Sequence, residues 1–468
     1  MRKVNLFAML AAAAALTLGV TSCSKDDNGG AGNGGDGVEG APARMSVTFK
    51  VPETPGVRAV TSPQETNTAE STINSISVFV FKSTGVAAST GGYTTVTSTG
   101  FTGGGGVYTL DNDISTESGT GMKVYVAMNL PTTADKAYGS EAALLAAVET
   151  VANMSDATAT PNNGFTMFSA LETMNLAAYD STDPTTVGKA TLDISRVVSK
   201  VVASAGALTY TPSAWSNGVE FEYALTDFNV YQDATSSYLV SQATSSGPLS
   251  TFAASVNNTL VAMVTDPANA AGRAAMSGFY VGENKTASAL QGNSTYAMIS
   301  ATVIPNMAAE WDASANAVVW NPATTYGGGV SGSNIFIVKT NGYTYVTDSD
   351  TKADGIVNAL NAIAAGSASK YTYTDGYVHF MVYLNAPGYQ VNRNQFIHVM
   401  VNGIKSADGL FPGIPGDPTD PTKPVNPEGP DNPDPVKPVD PIVPDAAMLN
   451  VEITVDPWEY TPQTVTLE

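Results

Sequence analysis

The sequence predicts an all-β protein with few short helices, arranged as two β-sandwich domains in tandem. Three observations carry this. Apolar and polar residues alternate with period two in one segment after another, the pattern of a strand with one buried face. These segments are short and bounded by Gly, Ser, Thr and Asn turn signals. Finally, 468 residues that are 43% hydrophobic and only 13% charged can fill two cores and resemble an extended surface protein more than a charged helical one. The formal net charge of −21 repels phosphate backbones, so no nucleic acid partner is expected.

Residues 1–22 read as an export signal. Met1-Arg2-Lys3 is a positive start, and Leu6 to Val20 is an apolar run too short to span a bilayer comfortably. Val20-Thr21-Ser22-Cys23 resembles a lipobox, which predicts lipidation at Cys23 and an outer-membrane lipoprotein precursor. Cys23 is the only cysteine, so no intrachain disulfide can form. Ser24-Lys25-Asp26-Asp27 resembles the acidic signal that sends lipoproteins to the outer face of the outer membrane. Residues 23–43 are rich in Gly and Asp, with almost nothing to bury, and read as a flexible spacer.

The first sandwich is expected over 44–205. Its opening strand places Met45, Val47, Phe49 and Val51 on one side and Ser46, Thr48 and Lys50 on the other. A Pro/Gly/Thr loop containing Arg58 follows, then a strand with Ile76, Val78 and Val80 on one face. Gly103 to Gly106 mark a hairpin end or loop, and 122–130 is another strand. Residues 140–153 predict a short helix capped by Ser140, with Leu144, Leu145 and Val148 on one face. A valine-rich strand over 190–208 closes the block.

The second sandwich is expected over 206–468, with many strands and one more helix over 352–367. Residues 412–446 form a Pro-rich tether with a proline at nearly every third position. As polyproline II it would reach roughly 100 Å, and a solvated disordered loop is an equal alternative. The terminal segment 447–468 alternates again, with Leu449, Val451, Ile453 and Val455, then Val465 and Leu467 beyond Pro457. Trp458 reads as a packing anchor, and Arg196 and Lys200 read as sheet-surface residues near the junction of the two blocks.

Catalytic signatures are weak, and neither enzyme activity, cofactor nor metal is expected. The two histidines, His379 and His398, both fall inside strand patterns, without the spacing of a zinc site. No Gly-x-Ser-x-Gly elbow occurs, and the tetraglycine lacks the Lys and Ser/Thr of a phosphate loop. Asp348, Asp350 and Asp354 echo a calcium loop, but Ala353 and Ala359 stand where its Gly and Glu belong.

Four segments carry a family resemblance: 69–85 with Glu70 and Ile73, 192–203 with Arg196 and Lys200, 390–413, and 449–460 with its Trp. In this order, behind a lipobox, they resemble the type V fimbrial major subunit (fimbrillin) lipoproteins, which have two transthyretin-like β-sandwich domains. The resemblance implies a structural subunit of a cell-surface fimbrium that supports adhesion and biofilm. It implies export as a lipoprotein, cleavage after an arginine by a trypsin-like protease, loss of the first strand, and donor-strand exchange with other copies and related fimbrial subunits. Arg58 is then the expected cleavage site, with Arg44 as runner-up; a cut at Arg44 would leave Met45 to Val51 in place. The removed strand would carry Met45, Val47, Phe49 and Val51, and the donor strand the six apolar residues of 447–468. Shaft, tip and anchor roles stay open, with shaft favoured because the chain has both a cleavable loop and a tail. The alternative is a surface lipoprotein that does not polymerise and binds glycans or host proteins through exposed aromatics such as Tyr371, Tyr373 and Tyr389.

Overall fold

Strands form where β-branched and aromatic residues alternate with polar ones, and the computed structural model stacks them into two sandwiches. The structure describes residues 39–51, 70, 72–104, 106–131, 137–155, 164–241, 252–253, 260–285, 290–323, 333–340, 342–385, 388–405, 407–411, 413–415 and 449–457. Cys23, Arg58, Trp458, Val465, Leu467, the export signal and most of the Pro-rich tether lie outside these residues.

The first part of the chain runs β1 (Pro42–Lys50), β2 (Ser75–Phe81), β3 (Tyr93–Thr97), β4 (Phe101–Gly104), β5 (Val107–Leu110), β6 (Ile114–Glu117), β7 (Gly119–Met128), α1 (Glu141–Leu145), β8 (Val148–Thr150), α2 (Val151–Met154), β9 (Met167–Ser169), β10 (Glu172–Leu176) and β11 (Gly188–Arg196). These strands order as β3-β2-β7-β9-β11-β1-β5-β4, with β10 on β7 and β6 on β1. Strand β11 belongs to both halves, pairing β1 along Gly188–Asp193 and β9 along Ile194–Arg196. The two halves close over one core, in which Met45, Val47 and Phe49 of β1 meet Ile76, Val78 and Val80 of β2 and Val124 and Val126 of β7.

The second part runs β12 (Ser199–Ala205), β13 (Thr209–Tyr210), β14 (Phe221–Tyr231), β15 (Asp233–Ala234), β16 (Ser236–Tyr238), β17 (Phe252–Ala253), β18 (Val261–Ala262), α3 (Ala270–Ala274), β19 (Phe279–Val281), β20 (Tyr296–Pro305), β21 (Met307–Asp312), β22 (Ala317–Pro322), β23 (Ile335–Thr340), β24 (Tyr343–Thr347), α4 (Asp350–Ile363), β25 (Ala368–Tyr373), β26 (Tyr377–Tyr383), β27 (Gln395–Ile404), β28 (Ile414–Pro415) and β29 (Leu449–Pro457). A sheet ordered β19-β12-β27-β29 faces one ordered β13-β14-β20-β26-β28. Their shared core includes Val201 and Ala203 of β12, Ile397 and Val399 of β27, Phe228 of β14 and Phe380 of β26. Between β20 and β26 the chain adds β21 to β25, with α4 packed through Ala353 and Ile356. A third apolar cluster joins Phe79, Phe81, Phe165 and Phe168 to Val197, Val198, Val202 and Phe396, so it lies between the two sandwiches.

Four expectations need correction. Residues 140–153 do not form one helix: α1 stops at the Ala146 cap, Val148–Thr150 pairs with Ser236–Tyr238, and Thr150 caps a new turn. A helix this short is marginal alone, and β-branched Val148 and Thr150 find a strand partner instead. The valine-rich segment 190–208 is two strands. At Val197–Val198 the chain leaves one sandwich, and β12 enters the sheet of the other beside β27. Arg196 and Lys200 are not on the surface; they are 1% and 5% exposed. Of the tyrosines read as exposed, Tyr373 and Tyr389 are buried and Tyr371 packs against the second core. The aspartates that echo a calcium loop face lysines: Lys370 Nζ lies 2.6 Å from both Asp350 and Asp354, and Lys352 3.0 Å from Asp348.

Candidate functional site: the first and terminal strands

Strand β1 is held along both edges. On one side it runs parallel to β11, from Met45 opposite Gly188 to Lys50 opposite Asp193. On the other it runs antiparallel to β6 over Pro42–Met45 and to β5 over Thr48–Lys50. At Gly188 a Cβ would lie 2.3 Å from a terminal methyl of Leu176, so a side chain there would require Leu176 to move. The Val51 amide donates to the Gly106 carbonyl at 2.9 Å and closes the end of the strand.

The alternation read from the sequence fixes the faces. Met45, Val47 and Phe49 are completely buried, and Val51 is nearly so. Phe49 stacks on Tyr108 at 5.5 Å and meets Phe101 edge-on at 5.9 Å. On the other face, the Arg44 guanidinium lies over the Tyr179 ring at 4.4 Å, and the Thr48 and Thr109 hydroxyls are 3.0 Å apart. Burying each large apolar side chain contributes about 1.5–3 kcal/mol. Four of them rival the 5–15 kcal/mol that holds a typical domain folded. A sandwich deprived of β1 would also expose ladder groups on β11, β5 and β6, so it needs a replacement strand.

Strand β29 sits at the edge of its sheet, antiparallel to β27, with Leu449 opposite Ile404 and Val455 opposite Ile397. Its apolar face is only partly satisfied there. Leu449 is buried, Val451 and Ile453 are half-buried against the second core, and Val455 is 37% exposed. Among the described residues, its outer edge has no partner strand.

The strand that carries β29 contains a buried histidine. His398 Nε2 lies 2.7 Å from Ser204 Oγ and 3.8 Å from Asp266, itself paired with Arg273 at 2.8 Å. Burial, and then the Arg273 cation, push the imidazole down to about 4, against the pull of Asp266. A folded-state value below the unfolded one means that stability is full above about pH 6.5 and is lost as pH falls toward 4. The unfolding midpoint is expected to drop across that window, with a flatter profile in His398→Gln. Parallel profiles would assign the acid sensitivity elsewhere.

Every described arginine is engaged in the fold. Arg44 lies in β1, Arg196 is buried, Arg273 pairs with Asp266, and Arg393 holds Glu283 at 2.9 Å.

Sequence reasoning missed a buried polar cluster between the sandwiches. Glu70 is 1% exposed, and its carboxylate accepts from Lys200 Nζ at 2.9 Å and from the Tyr280 hydroxyl. Burial, and then Glu70, push the Tyr280 hydroxyl far above its usual range, so it stays a donor. Arg196 donates to the Glu70 carbonyl at 3.4 Å and to Asn394 Oδ1 at 3.3 Å. The available signal was the presence of charged Arg196 and Lys200 within a valine-rich segment; Glu70, among Asn, Thr and Ser, gave none.

Residues 43–205 match the family model described as major fimbrial subunit protein (FimA). Among solved structures, a fimbrilin (FimA) from Porphyromonas gingivalis is 14% identical, covering 90% of this chain and 99% of that one, with a TM-score of 0.42. The tip fimbrial protein Mfa3 from Porphyromonas gingivalis, with a C-terminal truncation, is 12% identical, covering 89% and 100%, with a TM-score of 0.39. A fimbrial assembly protein from Parabacteroides distasonis is 12% identical, covering 78% and 92%, with a TM-score of 0.33. No curated protein matches the chain. Residues 43–205, which span the first sandwich and the strand that follows it, are thus similar to the major fimbrial subunit protein (FimA) family.

Proposed function

We propose that this protein is a structural subunit of a cell-surface fimbrium, exported as a lipoprotein anchored at Cys23 and polymerised by strand exchange. A trypsin-like protease cuts after Arg58, β1 leaves, and the segment 447–468 of another copy or of a related subunit takes its place. The observation that carries this reading is the unequal burial of two strands with the same alternation. Met45, Val47 and Phe49 are completely buried between two paired edges, whereas Val455 is 37% exposed at a sheet edge. Moving the tail into the vacated slot would bury apolar surface that its own sheet leaves open, while backbone pairing sets the register. Because donor and acceptor sites differ, repeated copies extend as a filament.

The arginines support the choice of cut. A protease needs an accessible, extended segment, and Arg44, Arg196, Arg273 and Arg393 are all held by strands or ion pairs. Arg58 follows β1 directly in sequence and is the arginine whose cleavage frees the whole of it. N-terminal sequencing of assembled fimbriae is expected to read from Ala59. A start at Met45 would exclude Arg58 and leave β1 in place.

A further inference from the structure

The Glu70 cluster stands at the mouth of the proposed groove. Strand β1 runs parallel to β11 and leaves it at Lys50, opposite Asp193, three residues before Arg196. On its other edge β11 pairs with β9 only from Ile194 to Arg196. Removing β1 therefore leaves residues 188–193, the long wall of the groove, without a ladder partner among the described residues. Besides the core packing of Ala190 and Leu192, what still fixes that wall is its C-terminal end. There the Arg196 backbone amide and Nη1 both reach Asn394 Oδ1 at 3.3 Å, Nη2 reaches the Glu70 carbonyl, and the Asn394 amide donates to the Val198 carbonyl at 3.1 Å. Glu70 is in turn tied to Lys200 of β12 and Tyr280 of β19, both in the second sandwich.

We propose that Glu70, acting through Arg196 and Lys200, is a positioning residue that holds the β11 wall in shape once β1 has gone, so that an incoming strand meets a preformed edge. This rests on the strand-exchange reading above. Preorganisation matters because ordering the wall during docking would consume binding free energy. Glu70 can hold the wall because its backbone carbonyl accepts from Arg196 of the first sandwich while its carboxylate accepts from Lys200 and Tyr280 of the second, fixing where that carbonyl stands. Losing that carboxylate removes the ion-pair partner of a buried Lys200.

The experiment compares hydrogen exchange across 188–196 in the intact precursor and in the cut subunit, for wild type and Glu70→Gln. It then measures uptake of a synthetic 447–468 peptide by the cut subunits. In the intact chain β1 clamps the wall, and the variant is expected to exchange like wild type. In the cut subunit the variant is expected to exchange about ten-fold faster and to take up peptide about ten-fold more weakly. Equal effects in both forms, or no effect in either, would reduce Glu70 to a plain packing role and overturn the proposal. If Glu70→Gln fails to fold, Tyr280→Phe removes one donor to the same carboxylate and should show a smaller contrast of the same kind. Wild-type cut subunit that binds no peptide would sink strand exchange itself, whereas the exchange contrast, read without peptide, decides the role of Glu70.

Discussion

Phe49→Ala is expected to lower the stability of the intact precursor by about 3–5 kcal/mol, the usual cost of emptying a large aromatic site in a packed core. Phe49 is completely buried and packs on Tyr108 and Phe101, so a truncated side chain leaves a cavity that those rings cannot readily fill. Under the proposed strand exchange the assembled polymer is expected to be as stable as wild type, because the substituted residue would lie on the segment that cleavage discards. Denaturant unfolding of the precursor and heat resistance of the polymer in detergent measure the two effects separately. A polymer weakened as much as the precursor would mean that β1 stays in the mature subunit. Arg58→Gln provides the complementary case: a precursor of normal stability that keeps β1 and does not assemble.

The two strands at the centre of this reading were legible because each needs only its own residues. Met45 to Val51 and Leu449 to Val455 alternate strictly, and period two leaves one choice of buried face. What could not be read depends on partners far away in the chain. Lys200 looks like a surface lysine until Glu70, 130 residues earlier, is brought to it, and Arg196 until Asn394, 198 residues later, is. Tyr373 has the local pattern of an exposed strand residue, yet it packs edge-on against Phe411 at 5.1 Å, a contact that no local pattern encodes. Residues 140–153 carry a helical spacing that loses to pairing between Val148–Thr150 and Ser236–Tyr238, again a long-range competitor. Strand existence follows from local chemistry, while strand partners and the burial of charged residues follow from topology.

A chain lacking residues 447–468 is expected to fold, to be cut, and to fail to elongate. Its own body loses little, because β29 is an edge strand that contributes one fully buried side chain, Leu449, and two half-buried ones. That is on the order of a few kcal/mol, while the core shared by β12, β14, β20, β26 and β27 is retained. Under the proposed strand exchange the truncated subunit would keep an acceptor groove, able to receive a neighbour's tail but not to offer one. Mixed with wild type, it should cap growing chains and shorten polymers in proportion to its share, which a misfolded subunit would not do. Within the tail, Ile453→Asp should mimic the deletion, since it places a charge on the inward face. Glu452→Ala, on the outward face, should leave elongation unchanged. Polymers of normal length from the truncated chain alone would show that subunits are joined by some other surface.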